Sequence, residues 1–449
     1  MSAKITKVSL GILVGQRNFH ELRKSLMTMN EIDVASFIND LPQNEAYIVF
    51  RTLPKNMAAE VFPDLDSEIQ INIVETISDK EISSLIDILA VDDVVDVMEE
   101  MPAELVKRIL KNASVETRDL LNRYLKYPEN SAGSIMTAEY TDLSQDMTAS
   151  QALAHIRSVG ENKETVYICY VVDNKDMLIG VATVRDLLTA SGDELIKDIM
   201  QSNIISINTK AEREEAARLL SKYNLISLPV VDDTGRMVGI VTIDDAVDVL
   251  QEEATEDLEL MAGMSPSDKP YLKTKVMTLA KNRFVWLLVL MLSGTISEMI
   301  LNKYEQTISV VPLLVAFIPM LSDMGGDAGS QVSTLIIRGM ALGEIKQRDI
   351  FSIALKEVCV SLMVSLPLGV INYFRIILKN PEQSMVALTI SLTLICTITM
   401  SNILGVILPL FAKKIKIDPA LMATPMISTL VDIFSMMIYF GIATSLLHI

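Results

Sequence analysis

The stretch ALMATPMISTLVDIFSMMIYFGIATSLL, Ala420 to Leu447, decides the architecture of the C-terminal half of the chain. It is apolar almost throughout and carries one formal charge, Asp432. A run of this length predicts a helix that crosses a bilayer. A carboxylate near mid-membrane is costly, and it usually marks an ion path or a proton relay. Helical spacing predicts one polar stripe on this helix, made of Thr424, Ser428, Asp432 and Ser435.

Charge divides the 449 residues into two parts. Residues 1–263 carry 46 acidic and 24 basic side chains, a net charge of −22, whereas residues 264–449 carry 11 and 15, a net charge of +4. The acidic part argues against a nucleic-acid partner and against direct binding to anionic lipid, because both would repel it. The acidic part is suited to binding cations, or its charge serves only to keep the protein soluble. No signal peptide is recognisable, so we expect this part in the cytoplasm.

A twelve-residue repeat follows a short basic leading segment, residues 1–25. Most repeats carry a helix-start signal, which is a proline, serine or aspartate followed by an acid. We predict a stack of short helices, a solenoid-like acidic domain over residues 1–130. A scaffold role and an ion-binding role both remain open for it. The repeated pairs are Leu41-Pro42, Leu53-Pro54, Leu65-Asp66, Ile77-Ser78, Leu89-Ala90, Met101-Pro102 and Ala113-Ser114.

Two further segments, YVVDNKDMLIGVATVRDLL (170–188) and LPVVDDTGRMVGIVTIDDAV (228–247), share one pattern. Each has a strand, a turn, then apolar-Gly-apolar-apolar-Thr-x-x-Asp leading into a helix. The pair resembles a tandem α/β CBS domain, which we assign to residues 131–263. The resemblance implies that the repeated Thr and Asp contact an adenosine nucleotide, with ATP as the candidate ligand. Helix capping alone would also explain them. The positions are Thr183 and Asp186, then Thr242 and Asp245.

A run of carboxylates from Asp244 to Glu259 meets no lysine or arginine. Like charges one helical turn apart destabilise a helix, so bound cations would explain the run. A solvated charged face is the alternative. On a helix, one face would carry Asp245, Asp248, Glu252, Glu256 and Glu259.

The remaining chain predicts a connecting helix at residues 264–283 and an α-helical transmembrane domain over residues 284–449. Lysine and arginine favour alternate loops, which predicts a cytoplasmic N-terminus and a C-terminus outside. Three scattered cysteines give neither a disulfide framework nor a zinc spacing. The five predicted spans are about 284–301, 310–337, 350–378, 385–412 and 420–447.

The second span contains FIPMLSDMGGDAGSQVSTLIIRG, residues 317–339. Two carboxylates on a membrane helix are unsuited to lipid, so we expect them to face the interior of the bundle. Gly325, Gly326 and Gly329 would allow another helix to approach closely. One helical face would carry Asp323, Asp327, Ser330 or Gln331, and Thr334.

The run P-x-L-x-D-x-G-G-x-A-G-S-Q (319–331), the D-P-A at 418–420 and S-T-L-V-D-I (428–433) are similar to the MgtE family of magnesium channels. The order of the parts is similar as well. The resemblance implies a homodimer in the cell (inner) membrane, with the pore on the two-fold axis and one Asp432 from each chain selecting the ion. It implies that the connecting helix, about 268–283, shuts the pore when cytosolic Mg²⁺ binds between acidic surfaces.

The same resemblance assigns regulatory metal-binding acids and thereby a role in magnesium homeostasis. Asp327 stands where the family usually has asparagine, which adds a carboxylate to the pore helix, and Asn224 stands where some members have aspartate. Mg²⁺ would be both cargo and regulator, and other divalent cations are candidate cargo. The regulatory positions are Asp92, Asp96, Glu212, Glu214, Asp245, Asp248, Glu253, Glu256 and Asp257.

The chemistry of Mg²⁺ agrees with this interpretation, because the ion is typically held by one or two carboxylates while it keeps several waters. Asp432 from two symmetric subunits would supply enough carboxylates to bind the ion. Because the ligands are so few, the ion would not be bound too tightly to leave the pore. A proton- or sodium-coupled divalent cation exporter under CBS control is the alternative, with Asp323, Asp327 and Asp432 as relays. A membrane-anchored nucleotide sensor is a third hypothesis. The sequence has no HExxH motif and no phosphate loop, so we predict that it is not an enzyme.

Overall fold

The computed structural model describes residues 7–267, 271–272 and 274–448. It divides into two compact units, Met1–Leu250 and Gln251–Ile449. The first unit contains the helical repeat and the CBS pair, and the second contains the apolar helices.

Short helices fill the first part of the chain. From α3 onward they begin at residues 31, 43, 55, 67, 79, 91, 103 and 115, so the predicted twelve-residue period is confirmed. Each repeat carries its own start signal, as in the capping box of Ser78 and Glu81. The bounds are α1 Lys7–Gly15, α2 Phe19–Leu26, α3 Glu31–Asn39, α4 Gln43–Phe50, α5 Lys55–Val61, α6 Ser67–Thr76, α7 Asp79–Ile86, α8 Val91–Glu99, α9 Ala103–Asn112 and α10 Val115–Tyr124.

The stack forms because helices two apart in sequence pack on each other, α3 on α5, α4 on α6, α5 on α7, α7 on α9 and α8 on α10. The leading segment contains more structure than the sequence suggested, since α1 and α2 lie within it or overlap its end. Leu10, Val14, Leu22 and Leu26 recur at four-residue spacing in these two helices, and all four are buried.

The CBS pair consists of two three-stranded sheets of identical topology. In each sheet the first strand pairs parallel to the second, which forms an antiparallel hairpin with the third. Both predicted strand-turn-strand units are confirmed. The bounds are β1 Thr141–Ser144, α11 Ala149–Val159, β2 Ile168–Val172, β3 Leu178–Thr183, α12 Val184–Thr189, α13 Ile196–Ile199, β4 Ile207–Asn208, α14 Arg213–Tyr223, β5 Ser227–Val231, β6 Met237–Thr242 and α15 Ile243–Met261.

One hydrophobic core joins the helical stack to the second CBS motif. It runs from Leu10 through the short helices and continues into Leu220, Val230 and Val249. The first CBS motif has a core of its own around Leu143, which is fully buried. Residues of α8 and of the start of α15 therefore contribute to the same core.

The second unit is an assembly of long helices. α20 packs against α18, α19 and α21, and α18 also packs against α21. Within the part of the chain that the structure describes, four segments are long and apolar enough to cross a membrane: α16, Gln347–Lys379, α20 and Pro419–Leu447. The helices are α16 Val276–Lys303, α17 Glu305–Val310, α18 Ile318–Ala341, α19 Ile350–Lys379, α20 Ser384–Lys414 and α21 Thr424–Leu447.

The second predicted span, about 310–337, is not one continuous helix. α17 ends at Val310, a 3₁₀ helix covers Pro312–Phe317, and α18 begins at Ile318. Proline lacks the amide hydrogen that a regular helix needs, so Pro312 and Pro319 fall at the starts of these elements. α18 is less apolar than the other four segments, because it carries two aspartates and four glycines.

The predicted connecting helix at 264–283 is not a separate element either. Residues 264–267, 271–272 and 274–275 are non-helical, and residues 276–283 form the first turns of α16. Pro266 interrupts a helix before this point, and neither glycine nor proline separates Val276 from the apolar run that follows. Residues 268–270 and 273 of the proposed gating segment lie outside the described residues.

Candidate ion pathway and regulatory acids

Asp432 lies about two turns into α21, on the side that packs against α18. The Ser322 side chain of α18 hydrogen-bonds its carboxylate, and Asp323 lies close enough for the two carboxylates to repel each other. One turn towards the start of α21, Ser428 faces Gly326 of α18, where an added Cβ would lie 3.3 Å from Ser428 Oγ. The two helices are therefore antiparallel, and their polar residues meet along the contact.

The polar face of α18 is exposed on the single chain. Asp323, Asp327, Gln331 and Thr334 are all exposed, whereas Ser330 is turned inward and its Oγ is buried without a hydrogen-bond partner. Gln331 therefore belongs to this face and Ser330 does not. Within one chain the prediction that the two aspartates face the bundle interior is wrong, because the neighbouring glycines occupy that side.

Three glycines of α18 make close contact possible, as predicted. A Cβ at Gly325 would lie 2.6 Å from Val431 Cγ1 of α21 and 2.7 Å from Thr397 Cγ2 of α20. A Cβ at Gly329 would lie 2.5 Å from Ser401 Oγ. The Ser401 hydroxyl also donates to the carbonyl oxygen of Gly325. These contacts fix α18 between α20 and α21, so the position of Asp323 relative to Asp432 is fixed as well.

The polar stripe of α21 is shorter than predicted. Ser435 is buried, and its hydroxyl donates to the carbonyl oxygen of Asp432 at 3.1 Å. The Ser428 hydroxyl donates to the Thr424 carbonyl at 2.8 Å. Both serine hydroxyls donate to carbonyl oxygens of α21 itself. The Asp432 carboxylate has its hydrogen-bond partner, Ser322, on α18 instead.

Acids of the helical stack meet acids of the CBS pair within the first unit. Burial raises the pKa of Asp92 to about 8, and repulsion from Asp93, Asp245 and Glu139 adds to this. Burial, followed by repulsion from Asp245, raises the pKa of Asp93 to about 6. Asp92 Oδ1 is buried without a hydrogen-bond partner. Two elements distant in sequence, α8 and the start of α15, therefore share one region of negative charge.

Further acids extend this region. Burial raises the pKa of Asp64, and Asp248 adds repulsion. Burial likewise raises the pKa of Glu164, with Asp244 and Asp245 as the next contributors. Burial also raises the pKa of Asp245, although the Thr242 hydroxyl opposes this by donating to its carboxylate. We call Asp64, Asp92, Asp93, Glu139, Glu164, Asp245 and Asp248 the acidic cluster.

The other predicted regulatory acids lie elsewhere. Asp96 is exposed one turn after Asp92 on α8. Glu212 and Glu214 open α14, where Glu214 pairs with Arg218 at 3.7 Å. Glu253, Glu256 and Asp257 lie on the last turns of α15, which confirms that the acidic run is helical.

The candidate nucleotide residues take part in helix capping. Thr183 and Asp186 form a capping box, in which Asp186 Oδ2 accepts hydrogen bonds from the Thr183 amide at 3.0 Å and its hydroxyl at 2.6 Å. The equivalent Thr242 amide donates to Asp245 Oδ2 at 3.4 Å. Capping is therefore realised at both positions, and it leaves the second carboxylate oxygen of each aspartate for other contacts.

Sequence reasoning missed several members of these sites. Ser322 and Asp93 stand directly beside Asp323 and Asp92, and no pattern in the sequence distinguishes them as site residues. Glu139 and Glu164 stand in loops of ordinary composition, so no local signal could have placed them near α8. Among residues 7–267, 271–272 and 274–448, no three His, Cys, Asp or Glu side chains converge closely enough to hold a metal ion. The carboxylates of the acidic cluster repel one another, but they do not form a complete set of metal ligands.

Known proteins match this chain over nearly its whole length. The family model MgtE, described as a divalent cation transporter, matches residues 318–442. The MgtE intracellular N domain matches residues 29–130, and the CBS domain matches 132–193 and 196–252. The magnesium transporter MgtE of Thermus thermophilus is 32% identical over 444 residues, 98% of each chain. The chain belongs to the MgtE family of magnesium transporters.

Other MgtE proteins support the same assignment. The MgtE of Bacillus subtilis is 29% identical over 437 residues, which is 97% of this chain and 96% of that protein. The crystal structure of the cytosolic domain of the Mg²⁺ channel MgtE in complex with ATP is 33% identical, with a TM-score of 0.52, and covers 54% of this chain and 100% of that one. MgtE proteins are transporters, which confirms that this chain is not an enzyme.

Proposed function

We propose that the protein is a homodimeric Mg²⁺ channel of the cell membrane whose conduction path follows the exposed polar face of α18 and the adjoining face of α21. The observation that carries the proposal is the contact of Asp432 with Ser322 beside Asp323. This contact sits at the edge of a polar face that one chain leaves uncovered. A membrane helix does not present two aspartates to lipid, so a second chain related by two-fold symmetry would enclose them.

The carboxylates fit hydrated Mg²⁺ as cargo. Asp323 and Asp432 lie at one level, and Asp327 lies one turn further along α18, towards Ser428. In a dimer this gives successive levels of acceptors that bind through retained waters instead of stripping them. Other divalent cations are candidate cargo on the same grounds, since carboxylates suit Mn²⁺ as well.

Cytosolic Mg²⁺ is the proposed regulator. The acidic cluster fits a cation, because its carboxylates repel one another and Asp92 Oδ1 is buried without a donor. Bound Mg²⁺ would supply the missing positive charge and draw α8 towards the start of α15. Without the ion, repulsion would separate them. Asp96, Glu212 and Glu214 in the first unit, and Glu253, Glu256 and Asp257 on the last turns of α15, are proposed ligands of further regulatory Mg²⁺ ions.

ATP is the proposed ligand of the CBS pair. The relative whose cytosolic domain was crystallised with ATP supports this. Asp186 Oδ1 would contact the ribose, because Oδ2 is already engaged by Thr183. We also propose that the N-terminus lies in the cytoplasm and the C-terminus outside, and that the segment from residue 264 to the start of α16 links the regulatory acids to the pore.

Mg²⁺ uptake into proteoliposomes containing the full-length protein tests the channel. A channel gives saturable uptake that depends on the Mg²⁺ gradient and is blocked by cobalt hexammine, a mimic of hydrated Mg²⁺. It requires neither a pH gradient nor a Na⁺ gradient. Uptake that collapses when these gradients are removed would favour the ion-coupled exporter, and ATP binding without any Mg²⁺ flux would favour a sensor.

A further inference from the structure

One carboxylate of the membrane half, Glu357, lies on a helix that does not line the proposed path. Glu357 is seven residues from the start of α19, about 10 Å along the helix. It belongs to the membrane-spanning segment Gln347–Lys379. Its Oε2 accepts a hydrogen bond from Asn402 Nδ2 of α20 at 3.2 Å. Among the residues that the structure describes, Glu357 forms no ion pair with a lysine, arginine or histidine.

Some of the polar atoms around Glu357 and Asn402 have no hydrogen-bond partner. Asn402 is 6% exposed, and its Oδ1 is buried with no hydrogen-bond partner. Ser333 of α18 is fully buried with an unpartnered hydroxyl. A Cβ at Gly405, three residues after Asn402, would lie 3.3 Å from the Ser333 amide nitrogen, so Ser333 is within about one turn of the pair. Oxygen atoms that are buried without a donor are costly, and a bound group would remove that cost.

Apolar packing closes one side of this junction. Val332 of α18 and Val406 of α20 belong to one buried cluster, and Ile353 of α19 packs against it. Glu357 follows Ile353 by one turn, and Asn402 precedes Val406 by one turn. The polar groups therefore form a layer directly next to a sealed apolar layer, at the point where α18, α19 and α20 meet.

We propose that Glu357 and Asn402 form a binding site for one monovalent cation, a proton or Na⁺, inside each protomer. The site offers one negative charge together with neutral oxygens, so a single positive charge neutralises it. A divalent ion would leave an uncompensated charge in a medium of low dielectric constant. If the bound cation is a proton, it resides on the Glu357 carboxyl group. The Asn402 side-chain amide would then rotate, so that the carboxyl O–H donates to Asn402 Oδ1. Na⁺ would bind between the carboxylate and Oδ1.

No fixed charge on the surrounding elements replaces this cation. α20 carries no charged residue between Ser384 and Ala412. The charges of α18, Asp323, Asp327 and Arg338, lie on its exposed face, and Lys356 on α19 is exposed. Arg348 and Asp349, before α19, lie 3.8 Å from each other.

A purely structural role would make the pair an interhelical hydrogen bond and nothing more. Glu357→Gln separates the two interpretations, because glutamine keeps the acceptor for Asn402 Nδ2 and loses the charge. Glu298→Gln is the matched control, since Glu298 is an exposed acid on α16, another apolar helix.

The test uses full-length protein in nanodiscs without Mg²⁺. Infrared spectra recorded from high to low pH report the protonated carboxyl group, and thermal unfolding is compared in NaCl and in choline chloride of equal ionic strength. A proton site gives a carboxyl band at neutral pH, where an ordinary glutamate is ionised, in the wild type and in Glu298→Gln, and this band is missing in Glu357→Gln. A Na⁺ site gives an unfolding temperature that rises with Na⁺ in the first two proteins and not in Glu357→Gln. If Glu357→Gln matches the wild type in both measurements, the proposal is overturned.

Asn402→Ala keeps the test decisive if Glu357→Gln does not fold. It removes the amide oxygen and leaves the carboxylate in place. We expect the pH midpoint of the carboxyl band to shift by about one unit, or the Na⁺ affinity to fall about tenfold. An unchanged midpoint together with an unchanged Na⁺ response would overturn the site.

Discussion

Gly325 and Gly329 are the residues on which the packing of α18 depends most directly. Both are buried, and each stands where a Cβ would overlap a side chain of α20 or α21. The sequence predicted close helix approach from these glycines. It could not predict which helices approach, because the partners lie more than 65 residues away in the chain.

Gly329→Ala should lower the stability of the membrane half, because its new methyl group would lie 2.5 Å from Ser401 Oγ and 2.6 Å from Ile427 Cγ2. Overpacking of this kind costs about 1–3 kcal/mol. Thermal unfolding in detergent measures the change, and Mg²⁺ uptake should fall in parallel. Gly441→Ala is the control, since no atom lies within 4 Å of its added Cβ. Equal unfolding temperatures for the two variants would contradict the packing described above.

Asp92 makes the stability of the cytosolic half depend on pH. Its pKa is about 8 in the folded protein against an ordinary value of 3.8, so the folded state holds the proton more tightly. The resulting stability is complete below about pH 4 and is lost as pH rises through about 8, with a slope of up to about 1.4 kcal/mol per pH unit. Without Mg²⁺, urea unfolding of residues 1–263 should therefore show lower stability at pH 9 than at pH 6.

Asp92→Asn should flatten this pH dependence, and Mg²⁺ should restore stability at pH 9 in the wild type. Asp119→Asn, at an exposed acid of α10, serves as the control. Identical pH slopes for Asp92→Asn and the wild type would exclude Asp92 as the source.

Among the secondary-structure elements, α15 connects the CBS pair to the start of the membrane half. It runs unbroken from Ile243 to Met261 and carries acids from its first turn to its last. Like charges at this density weaken the helix in the absence of cations. Glu259 has a local role, because its Oε2 accepts a hydrogen bond from the Ser267 amide at 2.8 Å.

Neutralising five acids of α15 should remove inhibition by cytosolic Mg²⁺, because the bridging carboxylates are lost while the helix remains. Patch recording from membranes with high Mg²⁺ on the cytosolic side should then show an open channel. Inhibition that is unchanged from the wild type would refute the sensor. The substituted acids are Asp245, Asp248, Glu253, Glu256 and Asp257, and the control set consists of exposed acids of the helical stack, Glu21, Asp33, Glu104, Glu116 and Asp119.

Elements whose signals are local could be predicted from the sequence. The twelve-residue helices carry their own caps and apolar stripes, and the CBS hairpins carry their own turns. The prediction of a separate connecting helix is wrong, because α16 begins at Val276 and continues without a break into the apolar run. Pro312 and Pro319 indicate the break before α18. The apolar character of residues 310–337 nevertheless predicts one continuous span. The acidic cluster depends on contacts between distant elements, which no local pattern encodes.

In the whole molecule, the acidic cluster and the proposed ion path lie in different units. The first unit contains the acidic cluster, whose acids repel one another, and the second exposes the polar face of α18. Symmetry would turn that face into an enclosed path, which one chain alone does not provide. Asp432 is central to this account, because it is the acid where α18 and α21 meet.

Mg²⁺ uptake by Asp432→Asn in proteoliposomes tests this account most directly. Asparagine matches aspartate in shape and removes the charge, so the helix contacts with Ser322 should persist. We expect uptake to fall at least about tenfold, equivalent to about 1.4 kcal/mol, while Glu344→Gln, at an exposed loop acid, transports as the wild type does. Wild-type uptake by Asp432→Asn would contradict the claim that Mg²⁺ passes this carboxylate.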